Sequence, residues 1–213
     1  MSSTCVSPIA VGDPHVRPRA PVSRIGVLAL QGAFARHVDV LRRCGAEAFE
    51  VRRADELAAL DALVIPGGES TTMIKLMTSF DLVDPLAKLL ADGVPVFGTC
   101  AGMILLGADV SDGQPDQLCF GAIDIGVRRN GYGRQIDSFE ADLTVAGVDG
   151  GPITGVFIRA PVVERTGPDV EVLASFEGDP VLCRQGPVLV SSFHPELTDD
   201  DRLHRLFLGS VGA

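Results

Sequence analysis

Apolar positions along the chain follow one pattern up to about residue 108 and another after it. In the first part, short unbroken apolar runs trade places with segments of helical spacing. "RIGVLAL" (24–30), "AFEVR" (48–52), "ALVIPGG" (62–68) and residues 94–98 read as strands, the first a β-branched run of the kind buried on both sheet faces. Between them, "GAFARHVDVLRRCG" (32–45) places Phe34, Val38 and Leu41 on one helical face and stops at Gly45. "STTMIKLMTSF" (70–80), "DPLAKLLADG" (84–93) and residues 101–108 are the other helices expected here. In "DPLAKLLADG", Asp84 is the expected N-cap and Pro85 the first helical residue.

Strand and helix in strict alternation with short connections imply βαβ units, right-handed crossovers and a mostly parallel sheet. After residue 110, "FEADLTVAG" (139–147), "ITGVFIRAP" (153–161), "VEVLASFEG" (170–178) and "PVLVSSFHP" (187–195) are strand-like and separated by turn residues. They predict antiparallel strands added to the same sheet or forming an edge subsheet. "TDDDRLHRLFLGSV" closes the pattern as a helix, with a Thr198-x-x-Asp201 capping box and Leu203, Leu206 and Phe207 on one face. Without linker or repeat, the expectation is one three-layer α/β domain over residues 23–213. Residues 1–22, with four prolines and no periodicity, are expected to be a flexible tail.

Composition narrows the function classes. The 213 residues suffice for one well-cored domain. A net charge of −10 and a pI near 4.7 argue against a nucleic-acid partner, which needs clustered Lys and Arg. No apolar stretch has a membrane span's length, and the N-terminal residues lack the apolar core of a secretory signal. The five cysteines (Cys5, Cys44, Cys100, Cys119, Cys183) form no C-x-x-C pair, so neither a disulfide framework nor a zinc site is suggested. A reducing cytoplasm is the simplest compartment.

One cysteine has a special setting. "PVFGTCAGMILLGA" (95–108) runs from strand to helix, and Gly98-Thr99-Cys100-Ala101-Gly102 matches G-x-C-x-G, a thiol form of the nucleophile elbow. Small neighbours let strand and helix pass closely while the bend aims the sulfur away from the sheet. The Ala101 N–H would then supply half of an oxyanion hole. A buried, inert cysteine that merely fits a turn is the competing reading. A thiol nucleophile also needs a base. His194 ends the strand "VLVSSF" and is followed by Pro195 and Glu196, and side chains two apart in extended backbone project the same way. Glu196 can thus orient His194, as the carboxylate does in catalytic triads. His15 lies in the tail, and His37 and His204 are expected to be solvated or half-buried helical residues.

Strand–GTCAG–helix followed late by F-H-P-E resembles the class I, triad-type glutamine amidotransferases. "GVLALQGAFARH" (26–37), "LVIPGGESTTM" (63–73), "RRNGYGRQIDSFEADL" (128–143), "TGVFIRAP" (154–161) and "SSFHPELT" (191–198) sharpen this to the glutaminase subunits of pyridoxal 5′-phosphate synthase, from about residue 24 onward. The resemblance implies a Cys100–His194–Glu196 triad that hydrolyses glutamine to glutamate and ammonia without metal or organic cofactor. It carries a glutamine cradle to Gly67, Gly68, Glu69 and Ser70, with Gly68 beside Ala101 in the oxyanion hole. It carries glutamine binding to Arg129 (before Asn130), Ile158 and Arg159, and positioning of the oxyanion loop on partner docking to Gln31. It further implies a (β/α)8-barrel synthase partner, in a large hetero-oligomer, that receives the ammonia through a channel. Rival readings are a γ-glutamyl hydrolase or a glutaminase of another pathway on the same scaffold, a cysteine peptidase-like relative, and a non-catalytic partner-binding module.

Overall fold

A computed structural model describes residues 22–112, 118–129, 131 and 138–212. Its centre is a seven-stranded sheet in the order β10-β11-β12-β4-β3-β1-β2. The strands are β1 (Arg24–Leu28), β2 (Glu47–Val51), β3 (Ala62–Ile65), β4 (Val96–Thr99), β10 (Glu171–Phe176), β11 (Asp179–Gln185) and β12 (Val188–Ser191). From β2 to β12 all neighbours pair in parallel, whereas β10 and β11 pair antiparallel and extend the β12 side. Two smaller sheets complete the β-structure. One joins β5 (Gly107–Val110), β6 (Ile123–Arg128) and β9 (Val162–Thr166), and the other is the β7 (Ser138–Leu143)–β8 (Ile153–Ile158) hairpin pair.

The unbroken apolar strands make sense once both sheet faces are covered. On β3, Leu63 and Ile65 join one core with Met73, Met77, Leu86 and Leu105, from α2 (Ser70–Ser79), α3 (Val83–Ala91) and α4 (Ala101–Leu106). Ala62 and Val64 join the other, with Val38 and Leu41 of α1 (Phe34–Arg43) and Leu203 and Phe207 of α5 (Arg202–Leu208). The period-2 alternation persists, but both faces bury it, so the run shows no polar positions. This is the expected three-layer α/β arrangement, and the antiparallel strands take both anticipated forms, extending the main sheet and building side sheets. Among the described residues no helix is long and apolar enough to cross a membrane.

The structure revises several local expectations. The helix expected over 101–108 ends at Leu106, and Gly107 starts β5 in extended conformation. α3 begins at Val83 with Leu82 as its N-cap, so Asp84 and Pro85 lie inside the first turn. Pro85 is harmless there because the first four helical N–H groups lack intrahelical acceptors anyway. The Thr198 capping box is absent. Asp201 caps α5 without a side-chain bond, because its carboxylate is taken by Arg205 at 2.7 and 2.9 Å. Thr198 instead donates to the Pro195 carbonyl at 3.3 Å.

What positions the site is the convergence of three neighbouring parallel strands. Ile65 of β3 pairs with Gly98 of β4, and Thr99 of β4 with Ser191 of β12. The connections after these strands leave the same carboxyl edge, the usual ligand side of such sheets. They carry Gly67–Ser70, Cys100 and His194–Glu196 respectively. α4 crosses so close to β3 that a β-carbon on Gly102 would lie 2.1 Å from the Ile65 carbonyl oxygen. Alanine is ordinarily better than glycine in a helix by up to about 1 kcal/mol. Gly102→Ala is expected to reverse that sign and lower stability by about 1–3 kcal/mol through overpacking, measured by urea unfolding. A stabilised variant would contradict the close crossing.

Candidate active site

Cys100 caps α4 with φ 49° and ψ −101°, a left-handed conformation unusual for a residue with a β-carbon. Its N–H donates to the Ser191 carbonyl of β12 at 2.7 Å, and its own carbonyl accepts from Ile104 at 3.2 Å, so the bend is held from two directions. Four described non-glycine residues have positive φ, and two of them, Cys100 and Arg159, line the same cavity. Strain held at a shared cleft is the usual mark of a functional site.

That cavity, of about 230 Å3, is lined by Gln31, Gly68, Glu69, Ser70, Cys100, Ile104, Arg129, Ile158, Arg159 and His194. Every site residue expected from sequence therefore meets there except Gly67, Ala101 and Glu196, which stand directly behind the wall. A β-carbon on Gly67 would lie 2.3 Å from the His194 ring and 3.2 Å from the Cys100 β-carbon, so glycine is required between His194 and Cys100. Ala101 opens α4 with an N–H that has no helical acceptor. Glu196 Oε1 lies 2.8 Å from His194 Nδ1, and the carboxylate is fully buried. A larger groove of about 640 Å3 lies elsewhere, but its arginines are committed: Arg184 to Glu171, Arg202 to Asp200 and Arg205 to Asp201.

The electrostatics favour a proton on His194. Burial pulls the His194 imidazolium down, yet hydrogen bonds to Cys100 and Glu196 and the charges of both raise its pKa to about 10. Burial alone would raise the Glu196 carboxyl, but the adjoining His37 and His194 hold it well below the ordinary carboxylate range. Burial raises the pKa of Cys44 and Cys119 and pushes Cys183 up to about 12.

The loop after β3 is built around Glu69. Its carboxylate caps α2 by accepting from the Thr71 and Thr72 N–H groups at 3.0 and 2.7 Å, and it pairs with Arg129 at 3.1 Å. Burial opposes ionisation of Glu69, but the hydrogen bonds from Thr72 and Thr71 lower its pKa to about 2. Gln31 Oε1 accepts the Glu69 N–H at 3.0 Å, tying the loop after β1 to this one. Ser70 is 2% exposed, lines the cavity and, among the described residues, has no partner for its hydroxyl. An orphaned hydroxyl facing a cavity suits a polar ligand. Asn130 and residues 132–137 of the "RNGYGRQID" stretch, like Cys5 and His15, lie outside the described residues.

The strongest departure from expectation concerns two histidines. His37 and His204 are not solvated or half-buried; both are 0% exposed, and His37 Nε2 stands 3.3 Å from Glu196 Oε2. A signal for this was present. His37 falls between Phe34 and Leu41 on the apolar face of α1, and His204 adjoins Leu203 and lies one turn before Phe207.

Residues 27–212 match the model of the SNO glutamine amidotransferase family. The chain belongs to this family. It is 61% identical over 188 residues to the "Pyridoxal 5′-phosphate synthase subunit PdxT" of Parafrankia sp. (strain EAN1pec), covering 88% of this chain and 93% of that one. It is 58% identical to the protein of the same name from Acidothermus cellulolyticus, covering 89% and 94%. A solved structure of a glutamine amidotransferase superposes with a TM-score of 0.83 at 52% identity, over 89% of this chain and 99% of that one. A chain of PurLQS from Thermotoga maritima, with a TM-score of 0.61 at 16% identity over 88% of this chain and 98% of that one, shares the fold.

Within this family fold, the environments of the thiols predict an order of reactivity. At neutral pH iodoacetamide is expected to alkylate Cys100 at least tenfold faster than Cys44, Cys119 or Cys183, because of these four Cys100 alone has an imidazole, that of His194, beside it. Peptide mass mapping over time measures this. Earlier labelling of Cys44 or Cys183 would contradict the assignment.

Proposed function

We propose that the chain hydrolyses L-glutamine to L-glutamate and ammonia, and that the ammonia feeds a synthase subunit making pyridoxal 5′-phosphate. The observation that carries this reading is the strained Cys100 beside the buried His194–Glu196 pair, in a family described by glutamine amidotransfer. The cavity is smaller than the pockets that hold drug-sized ligands, which suits a free amino acid.

In the proposed reaction, His194 takes the thiol proton and the Cys100 sulfur attacks the side-chain amide carbon of glutamine. Negative charge collects on the amide oxygen, met by the Ala101 N–H and by the Gly67–Gly68 loop. The tetrahedral adduct collapses as His194 gives its proton to the amide nitrogen, releasing ammonia and leaving a γ-glutamyl thioester on Cys100. His194 then takes a proton from water, which attacks the thioester; glutamate leaves and the thiol regains its proton. Glu196 holds His194 in the tautomer with its proton on Nδ1 and balances the imidazolium charge. Ser70 and Arg159 are suited to hold the polar groups of glutamine, and Arg129 to grip its carboxylate with guanidinium N–H groups beyond those used by Glu69. Ile158 contributes the apolar side of the cradle. Gln31 sets the loop after β3 through the Glu69 N–H.

The partner is proposed to be a (β/α)8-barrel synthase within a large hetero-oligomer, taking up ammonia through a protein channel in the cytoplasm. Residues 23–213 act as the amidotransferase domain. Adding the synthase subunit is expected to start or strongly raise glutamate release from glutamine; no release under any partner condition would overturn the reading. Cys100→Ala should lower release by about 10^4-fold or more while still co-eluting with the synthase subunit. Wild-type release from that variant would remove Cys100 from the chemistry.

A further inference from the structure

Behind the proposed triad the side chains do not end at Glu196. They continue through His37 to His204 in a line that crosses from the turn after β12 to α1 and then α5. Glu196 Oε1 lies 2.8 Å from His194 Nδ1 and Oε2 lies 3.3 Å from His37 Nε2. His37 Nδ1 lies 2.9 Å from His204 Nε2, and Thr99 Oγ1 stands 3.4 Å from His37 Nε2. Glu196, His37 and His204 are all sealed from solvent. Among the described residues neither Glu196 Oε2 nor His204 Nδ1 has a hydrogen-bond partner, and the group that stands against Oε2 is His37 Nε2, at ion-pair distance.

These contacts leave few places for protons. Only one proton fits between two ring nitrogens 2.9 Å apart. If His37 Nδ1 carried it, neutral His37 would turn a bare Nε2 lone pair toward the carboxylate, even with the Thr99 hydroxyl donating to that nitrogen. Glu196 Oε2 would then have no donor, and His204 would bury an N–H on Nδ1 with nothing to accept it. If His37 carried both protons, the orphaned N–H on His204 would remain. With the proton on His204 Nε2, His37 turns Nε2–H toward Glu196 Oε2 and the Thr99 hydroxyl, and His204 is left with a bare buried lone pair instead of an orphaned N–H. A bare acceptor is better tolerated in a buried site than an orphaned donor. Burial also lowers the His204 pKa to about 3, which suits a ring with one proton.

We propose that His37 is a positioning residue for the reaction: backed by His204, it points Nε2–H at Glu196, so that this carboxylate stays ionised, fixed in orientation and able only to accept from His194. The line works in one direction. Each ring donates toward the triad, and the last donor is His194 Nδ1–H from the other side. Glu196 thereby faces an imidazole N–H at each oxygen, which offsets the burial of its charge. His37 does not line the glutamine cavity, so it acts on the chemical steps and not on substrate binding.

This inference rests on the glutaminase reading, and the experiments separate the two. Nitrogen-15 NMR of the histidine-labelled full chain at pH 7 reads the tautomers without any turnover. The expected spectrum has His37 and His204 each protonated on Nε2 and bare on Nδ1; a proton on Nδ1 of either ring would overturn the proposal. Glutamate release by the complex with the synthase subunit gives the functional arm. His37→Leu should lower kcat about tenfold to a hundredfold, as loss of an outer supporting hydrogen bond does, with KM changed less than about twofold. Its kcat profile should lose activity at a higher pH on the acid side, because Glu196 then protonates more easily. The groups facing that titration are His194, Cys100, His204 and, near His204, Asp201 and Arg43. His37→Gln, whose amide can still donate to Glu196, should recover most of the lost rate and the wild-type profile. Unchanged kcat and profile in His37→Leu, or equal loss in both variants, would overturn the proposal. Should His37→Leu not fold, the tautomers and the His37→Gln rate decide it. Absence of glutamate release in the wild-type complex would instead sink the glutaminase reading and leave the tautomer result standing.

Discussion

The left-handed backbone of Cys100 is the constraint on which the rest of the molecule depends. A side chain at φ 49° is strained, and the strain persists only because its surroundings leave no alternative. β4 enters the bend hydrogen-bonded between β3 and β12, and α4 leaves it pressed against the Ile65 carbonyl. The Cys100 N–H is claimed by Ser191. Relaxing the bend would break contacts with both neighbouring strands at once. Those same two strands deliver the other parts of the candidate site, so the packing that strains Cys100 also aligns His194 and the Gly67–Ser70 loop.

Charge is organised with equal economy. A carboxylate as buried as Glu196 would ordinarily protonate, which would end its use as an orienting acceptor. Imidazole groups facing its two oxygens counter that: His194 from the segment after β12 and His37 from α1, with His204 of α5 behind His37. The first and last helices of the fold thus pack on one sheet face for more than apolar burial. Their contact carries a polar line that ends at the candidate base. In the loop after β3, Glu69 is likewise both helix cap and partner of Arg129, so one carboxylate holds the local backbone and places a cation over the cavity.

Much of this is legible in the amino-acid sequence, and the misses have physical causes. Strands β1, β3 and β4 stand out because burial on both faces removes polar positions. Cys100 stands out because small residues flank it on both sides, and His194 because Glu196 follows at the spacing that lets the two meet. Strands β5, β6, β9 and β11 do not stand out. "IDIGVR" and "VVERT" mix charged and apolar residues because their sheet is small and half-exposed, and "DPVLCRQ" carries a proline at a sheet margin. The caps of α3 and α5 differ from the expected ones because capping patterns record local preference, while Arg205 competes for Asp201 from within the helix. His37 and His204 read as solvated or half-buried residues because a histidine on an apolar face carries no mark of its partner. Only the fold reveals that the two faces meet beside Glu196.

The central claim is that the chain strains its backbone at residue 100 to present a sulfur atom. Comparing the urea unfolding of Cys100→Ala with that of Cys100→Gly tests it most directly, since both lose the sulfur and differ only in a β-carbon. Elsewhere glycine is the less stable of the two by roughly 0.5–1 kcal/mol. At a strained left-handed position the account predicts the opposite order, with Cys100→Gly more stable by about 1 kcal/mol. Cys100→Ala being the more stable of the pair would contradict it.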